Sequence, residues 1–133
     1  MNESSRSGRE SGFTLLELFI AMFIIIILLS VALPTYQTSI QHAREVVLQE
    51  NLFQMRRAID QYTADKQKLP ESLQDLRDAK YFRDIPVDPI TETAEWREIK
   101  GADPNSPDAV EGMIDIKSLA EGTDISGKKY SEY

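Results

Sequence analysis

The stretch Gly12-Phe13-Thr14-Leu15-Leu16-Glu17, followed by an apolar run that ends at Leu33, decides the architecture of this chain. Within residues 18–33 only Ser30 carries a polar side chain. A helix rises about 1.5 Å per residue, and the hydrocarbon core of a bilayer is about 30 Å thick. The 21 residues from 13 to 33 are therefore long enough to cross a membrane as one helix.

Glu17 is the one acid inside this apolar stretch. A carboxylate at the centre of a bilayer costs about 2.5–3.5 kcal/mol on insertion scales, and less near the end of the helix. Thr14 is the only other polar side chain before Ser30, and no Lys or Arg occurs in residues 10–43, so we expect no partner for Glu17 within its own helix. Cleavage after Gly12 would create a positive amine one helical turn away, or at the same place on a neighbouring copy.

These residues resemble the processing site of type IV pilin and pseudopilin precursors. The resemblance implies that residues 1–12 are a leader that prepilin peptidase removes after Gly12, and that the new amine of Phe13 is N-methylated. It also implies that Glu17, next to Thr14, acts in assembly. Pro34 matches a helix-bending proline that the family often has.

Two other interpretations explain an apolar N-terminal segment. In the first, residues 13–32 belong to a secretory signal that is cut at Ser30-Val31-Ala32. Such a signal begins with a basic region, but here Arg6 and Arg9 are balanced by Glu3 and Glu10. Glu17 also interrupts the apolar region. In the second, the segment is a plain single-span anchor and Glu17 reaches the headgroups. The second interpretation leaves the Gly-Phe-Thr-Leu-Leu-Glu motif unexplained.

Composition limits the rest of the chain. With 133 residues and one membrane segment, about a hundred residues remain, enough for one small domain. The formal net charge is −7, and residues 1–12 contribute two basic and two acidic residues, so removing them leaves it unchanged. Such an acidic chain is predicted not to bind nucleic acid. There is no cysteine, so no disulfide stabilises the head.

No catalytic set is evident in the sequence, and we predict that the protein is not an enzyme. His42 is the sole histidine and has no candidate nucleophile near it in sequence, so we expect it at a surface or between subunits. Cysteine nucleophiles and glycine-rich phosphate loops are absent from the sequence.

Helical periodicity continues beyond Pro34, since residues 36–66 contain no Gly or Pro. Apolar residues recur at three-and-four spacing at Tyr36, Ile40, Ala43 and Val47, then at Leu48, Leu52, Met55, Ile59 and Tyr62. We predict one helix over about residues 13–65, with a bend or local melting over about residues 30–34; alternatively, Pro34 only marks the exit from the membrane. The chain then divides into a leader (1–12), a membrane and assembly helix (13–34) and a head (35–133).

A small α+β head is predicted after the long helix. A short helix has Pro70 in its first turn and Leu73 and Leu76 on one face. Tyr81, Phe82 and Ile85 are expected in the core. Segments 96–99 and 113–117 read as strands of a two- or three-stranded antiparallel sheet, with Ile114 and Ile116 on one face and Met113 on the other. This order of elements is similar to the pilin-like fold of the major pseudopilins.

The C-terminal stretch of residues 115–127 resembles a segment that binds calcium in major pseudopilins. The resemblance implies carboxylate ligands from Glu121 and Asp124 and further oxygens from Leu119 and Ser126. The alternative is a solvated acidic turn that holds no ion.

The resemblance implies a structural subunit of a type II secretion pseudopilus. Copies would sit in the bacterial inner membrane with the head in the periplasm, and would form a homo-oligomeric helical filament that drives protein export. Prepilin peptidase, minor pseudopilins and the inner-membrane assembly platform would be its partners. A type IV pilus subunit, and a membrane-anchored periplasmic binding module that never polymerises, are the alternatives.

Overall fold

The computed structural model describes residues 12–105, 107–108 and 110–133. Their elements in chain order are helix α1 (Leu15–Lys66), helix α2 (Leu73–Asp78), strands β1 (Trp96–Ala102) and β2 (Glu111–Ser118), and a 3-10 turn (Tyr130–Glu132). The chain divides into two compact units, one up to Gln37 and one from Thr38 to Tyr133. A long apolar N-terminal helix, a short helix and a two-stranded antiparallel sheet confirm the α+β prediction at this level. Residues 1–11 of the predicted leader lie outside the described residues.

Helix α1 has 52 residues and continues without interruption through Pro34, so no local melting occurs there. It ends at Lys66, and the next residue, Gln67, has a left-handed backbone with φ of 57°. The predicted bounds agree with the observed bounds to within two residues. Among the described residues, α1 is the one helix that is long and apolar enough to cross a membrane.

The core of the head is built on one stripe of α1 that includes Leu48, Leu52, Met55, Ile59 and Tyr62, as its spacing predicts. It packs with side chains from the rest of the head, chiefly Leu73, Leu76, Trp96, Met113 and Ile116. Partly buried hydrophobic side chains complete it, namely Tyr81, Phe82, Ile85 and Ile90.

The earlier part of the predicted stripe is not buried. Tyr36 is 65% exposed, Ile40 38% and Val47 48%. Glu45 takes a buried place instead, because it lies three residues before Leu48 on the same helical face. Burial on α1 therefore begins at Glu45 and Leu48, close to where the second predicted run of apolar residues starts.

Helix α2 begins later than predicted. Ser72 precedes its first residue, so Pro70 lies outside the helix and not in its first turn. Pro70 is fully buried, and its carbonyl oxygen accepts a 2.8 Å hydrogen bond from the Met113 amide. Leu73 and Leu76 are both buried, as predicted.

Strands β1 and β2 pair as an antiparallel hairpin whose register shifts between Ile99 and Lys100. Ile99 pairs with Asp115 and Lys100 with Met113, which leaves Ile114 as the extra residue of a β-bulge. The bulge changes the alternation of faces, so Met113 and Ile116 are both fully buried while Ile114 is 41% exposed. The prediction that Ile114 and Ile116 share a face was wrong for this reason. The Ile114 side chain lies over Gly101, where a Cβ atom would be only 2.5 Å from Ile114 Cδ1.

Candidate functional site

The first turn of α1 holds the residues of the predicted processing and assembly site. The Glu17 amide donates a 3.2 Å hydrogen bond to Thr14 Oγ1, and the Thr14 amide donates a 3.4 Å bond to Glu17 Oε2. These reciprocal contacts form a capping box, in which two side chains satisfy amides that a helix start leaves without partners. The carboxylate also lies near the positive end of the helix dipole.

This capping box corrects the expectation that Glu17 has no partner in its own helix. The signal was present in the sequence as Thr-x-x-Glu before an apolar run. The longer contact is weak, and Glu17 Oε1 accepts no hydrogen bond from any residue in the described part of the chain. As far as residues 12–105, 107–108 and 110–133 are concerned, one carboxylate oxygen is therefore available to accept a bond from another molecule.

The predicted cleavage position is accessible. Phe13 is 93% exposed and precedes the helix, and no heavy atom outside its chain neighbours lies within 4 Å of the position that a Cβ would take at Gly12. The peptide bond between these two residues is thus not held in a regular element. Such a conformation is the one that a peptidase can bind.

Beyond Glu17, the apolar segment of α1 buries none of its side chains within the single chain. Its large hydrophobic side chains are about half exposed, from 49% at Leu29 to 68% at Phe23. Its polar hydroxyls bond back to the helix, with Ser30 Oγ donating to the Ile27 carbonyl oxygen at 2.7 Å and Thr35 Oγ1 donating to Val31 at 3.0 Å. The segment therefore offers its surroundings an apolar surface with its hydroxyls satisfied internally.

At the other end of the chain, Asp124 organises the C-terminal loop. Its Oδ1 accepts hydrogen bonds from Ser126 Oγ at 2.6 Å and from the Lys128 amide at 2.8 Å, and its Oδ2 accepts one from the Tyr133 hydroxyl at 2.6 Å. These donors, led by Ser126, lower the pKa of Asp124 from 3.8 to about 2. Burial and the Asp124 contact raise the pKa of Tyr133 above its usual range.

The proposed calcium ligands are only partly brought together. Asp124 and Ser126 are in contact, whereas Leu119 and Glu121 line a separate small cavity that Arg97 and Lys129 also line. Within the described ranges, no three His, Cys, Asp or Glu side chains are grouped so that they could hold a metal. Asp124 already accepts three hydrogen bonds from its own loop, so the described geometry does not gather the four predicted ligands around one point. The calcium site stays a prediction without support from the geometry.

Two polar side chains of α1 hold the C-terminal residues against the head. Glu45 is 5% exposed, and its Oε1 accepts hydrogen bonds from the Tyr130 hydroxyl at 3.0 Å, Gln41 Nε2 at 3.1 Å and the Ile125 amide at 3.3 Å. Burial, followed by the Glu45 contact, raises the pKa of Tyr130.

Arg56 makes the second attachment. Its Nη2 donates to the Tyr133 main-chain oxygen at 2.8 Å and to the Ile116 carbonyl at 3.0 Å, while its Nε lies 2.8 Å from Asp115 Oδ1. One side chain thus joins the helix, strand β2 and the last residue.

Comparison with known proteins gives no further help. No family model, curated protein or solved structure matched this chain.

The exposed residues Gly12 and Phe13 and the hydrogen-bonded Asp124 were candidates from the sequence, whereas Glu45 and Arg56 were not. Glu45 had a detectable signal, since it extends the buried stripe of α1 by one helical turn. Arg56 had none, because its partners lie 59 or more residues away in sequence. His42 is exposed on α1, in agreement with its predicted surface position.

Proposed function

We propose that this chain is a pilin-like subunit that inserts in the bacterial inner membrane by its apolar helix and polymerises into a helical filament. The type II secretion pseudopilus is the specific system that its motif favours. The observation that carries the proposal is the apolar segment of α1, in which no side chain is buried within the single chain. A surface of this size must be covered by lipid or by other copies.

Maturation comes first in this proposal. Prepilin peptidase cuts the exposed bond after Gly12, and the new amine at Phe13 is methylated. The cut leaves Phe13 one residue before Thr14, so the positive amine sits at the end of the helix where Glu17 also lies. The leader stays on the cytoplasmic side, and the head lies in the periplasm.

Assembly then uses the acid. Glu17 of an incoming copy accepts a charge-assisted hydrogen bond from the Phe13 amine of a copy already in place, and its free Oε1 supports such a contact. In a dry bundle of apolar helices this bond is stronger than in water, and an unpaired carboxylate is penalised. The pair therefore selects the axial register of the copies and adds attraction.

The capping box favours a second candidate from another class, a single-pass anchor for a periplasmic binding head that never polymerises. In that case Thr14 and Glu17 only stabilise the start of α1. A type IV pilus subunit would use the same assembly chemistry as a pseudopilin, and the genes next to this one would separate those two.

Two variants of Glu17 separate filament assembly from helix capping. Glutamine can still form the capping box but carries no charge, whereas leucine removes both properties. We expect the wild type to give a ladder of crosslinked oligomers. We expect Glu17→Gln and Glu17→Leu to insert in the membrane normally and both to lose this ladder. If Glu17→Gln keeps the ladder, the charge pair is refuted.

N-terminal analysis of the membrane form gives the independent check. An N-methylated Phe13 as first residue is the expected result in cells with an active prepilin peptidase. A chain that still begins at Met1 in those cells, and no ladder from the wild type, would favour the non-polymerising anchor.

A further inference from the structure

Two charged surfaces flank the buried stripe of α1 in the head. The first, the basic groove, is lined by α1 and the 81–86 segment and includes Arg57 and Arg83. The second, the acidic cleft, is lined by α1 and the β1–β2 hairpin and includes Asp60 and Asp103. Both lie in the unit that begins at Thr38.

The basic groove is unusual in a chain with a net charge of −7. Arg57 and Arg83 are exposed, and neither guanidinium has a carboxylate within 4.0 Å among the described residues. Asp84 is the one acid that lines it, and Lys80 extends the surface from an adjoining groove. Phe82 contributes a half-buried aromatic ring to both grooves. Arginine and aromatic side chains are the residue types enriched at protein interfaces.

The acidic cleft has the opposite character. Lys and Arg are absent from its lining in the described part of the chain, and the Asp60 carboxylate makes no hydrogen bond or ion pair with a described residue. Among the described residues, the Asp103 side chain accepts one local bond, from the Asn105 amide at 2.9 Å. The bulged Ile114, 41% exposed, provides an apolar contact beside these acids.

Helix geometry places the two surfaces on different sides of α1. Gln54, Arg57 and Gln61 line the basic groove, and Asp60, Ala64 and Gln67 line the acidic cleft. Gln54, Arg57 and Gln61 repeat at three-and-four spacing, and Asp60 and Ala64 are four residues apart, so each set is grouped on one side of α1; Gln67 follows the end of the helix. The two sets adjoin along the exposed side of α1, where Arg57 and Asp60 are three residues apart, but the groove opens against the 81–86 segment and the cleft against the hairpin.

We propose that the basic groove of one head binds the acidic cleft of the next copy. This inference rests on the proposed function, because it supplies the head-to-head contact of the filament. Two different surfaces that fit each other make a heterologous contact, which repeats from copy to copy and generates open helical arrays. Charge complementarity also explains how chains of net charge −7 avoid simple mutual repulsion.

The absence of cysteine makes a direct test possible. Gln54→Cys marks the basic groove and Ala64→Cys marks the acidic cleft, and both positions are exposed. The two full-length variants are expressed separately, and together with different tags, and their membranes are oxidised. The expected result is a disulfide between tags in the mixed membranes and little or none when either variant is alone.

Charge reversal supplies the matched control. Arg83→Glu or Asp60→Lys in both of the cysteine-bearing chains should abolish the mixed disulfide, and the two reversals together should restore it. Arg97→Glu, the same change of charge at an exposed residue outside both surfaces, should leave the mixed disulfide unchanged.

Formaldehyde crosslinking of the same membranes separates the two proposals. A formaldehyde ladder without the mixed disulfide, or a disulfide in Gln54→Cys alone, keeps the filament and overturns the groove-to-cleft contact. Absence of every ladder overturns both. Binding of the basic groove to anionic vesicles, with no mixed disulfide, would make a lipid surface its partner instead.

Discussion

The two units of this chain use the same kinds of apolar residue in opposite ways. In the segment up to Gln37, the described leucines, isoleucines and phenylalanines are about half exposed or more, on every side of the helix. In the head, α1 buries one stripe and exposes Gln54, Arg57 and Asp60 on its other faces. A helix that is apolar on all sides must be surrounded by lipid or by other protein chains, whereas an amphipathic helix buries its apolar stripe against the rest of its own chain. The difference teaches that only the second half of α1 is stabilised by its own chain.

The largest expected effect is a loss of stability of the head when a buried leucine of α1 is truncated, compared with truncation of an exposed leucine of the same helix. Leu52 is 1% exposed and Leu28 is 63% exposed on the same helix. Leu52→Ala should lower the free energy of unfolding of the head by about 2–5 kcal/mol, because it removes buried contacts and leaves a cavity. Leu28→Ala should leave that value unchanged. Fluorescence of the sole tryptophan, the buried Trp96, would report unfolding in detergent, and equal effects of the two changes would contradict the comparison.

Neighbouring arginines provide the next test. Arg56 joins α1 to Asp115 and to the Tyr133 main-chain oxygen, whereas Arg57 makes no ion pair within the described residues. Arg56→Ala should destabilise the head by about 1–2 kcal/mol, a figure that allows for its partial exposure. Arg57→Ala should change stability by less than about 0.5 kcal/mol. Chemical denaturation of both variants measures this, and a larger loss for Arg57→Ala would refute the assigned roles.

Acid should loosen the C-terminal loop before the rest of the head. The pKa of Asp124 falls from 3.8 to about 2 in the folded chain, so its ionised form stabilises folding above pH 3.8, and that contribution is lost as the pH falls towards 2. Amide exchange of residues 122–133 in wild type and Asp124→Asn, measured between pH 5 and 2, should converge at the acid end. A difference that stays constant over this range would exclude the Asp124 charge as the cause.

Calcium should have the smallest effect. Because Asp124 already accepts three hydrogen bonds, we expect millimolar calcium or a chelator to leave the thermal midpoint of the full-length protein in detergent unchanged. Magnesium at equal ionic strength is the control. A rise specific to calcium would establish the ion site that the sequence motif implied and would overturn the geometric argument.

Several local features were predictable because their signals are periodic or adjacent in sequence. The long helix follows from residues 13–66 having only Pro34 as a breaker, and the core stripe follows from three-and-four spacing. The capping box also has a local signature, although its meaning for Glu17 was missed. The bulge at Ile114 was not predictable, since it depends on how β1 and β2 align.

By itself, the sequence determined a membrane-length apolar helix, an acid in its first turn, and an amphipathic continuation that supports a small head. Only the tertiary structure decided that Glu45 holds Tyr130, 85 residues away, and that fully buried Asp88 accepts a hydrogen bond from Ser118. The physical reason is that helix formation depends on neighbours within a few residues. Satisfying a buried carboxylate depends on donors that folding brings from distant parts of the chain.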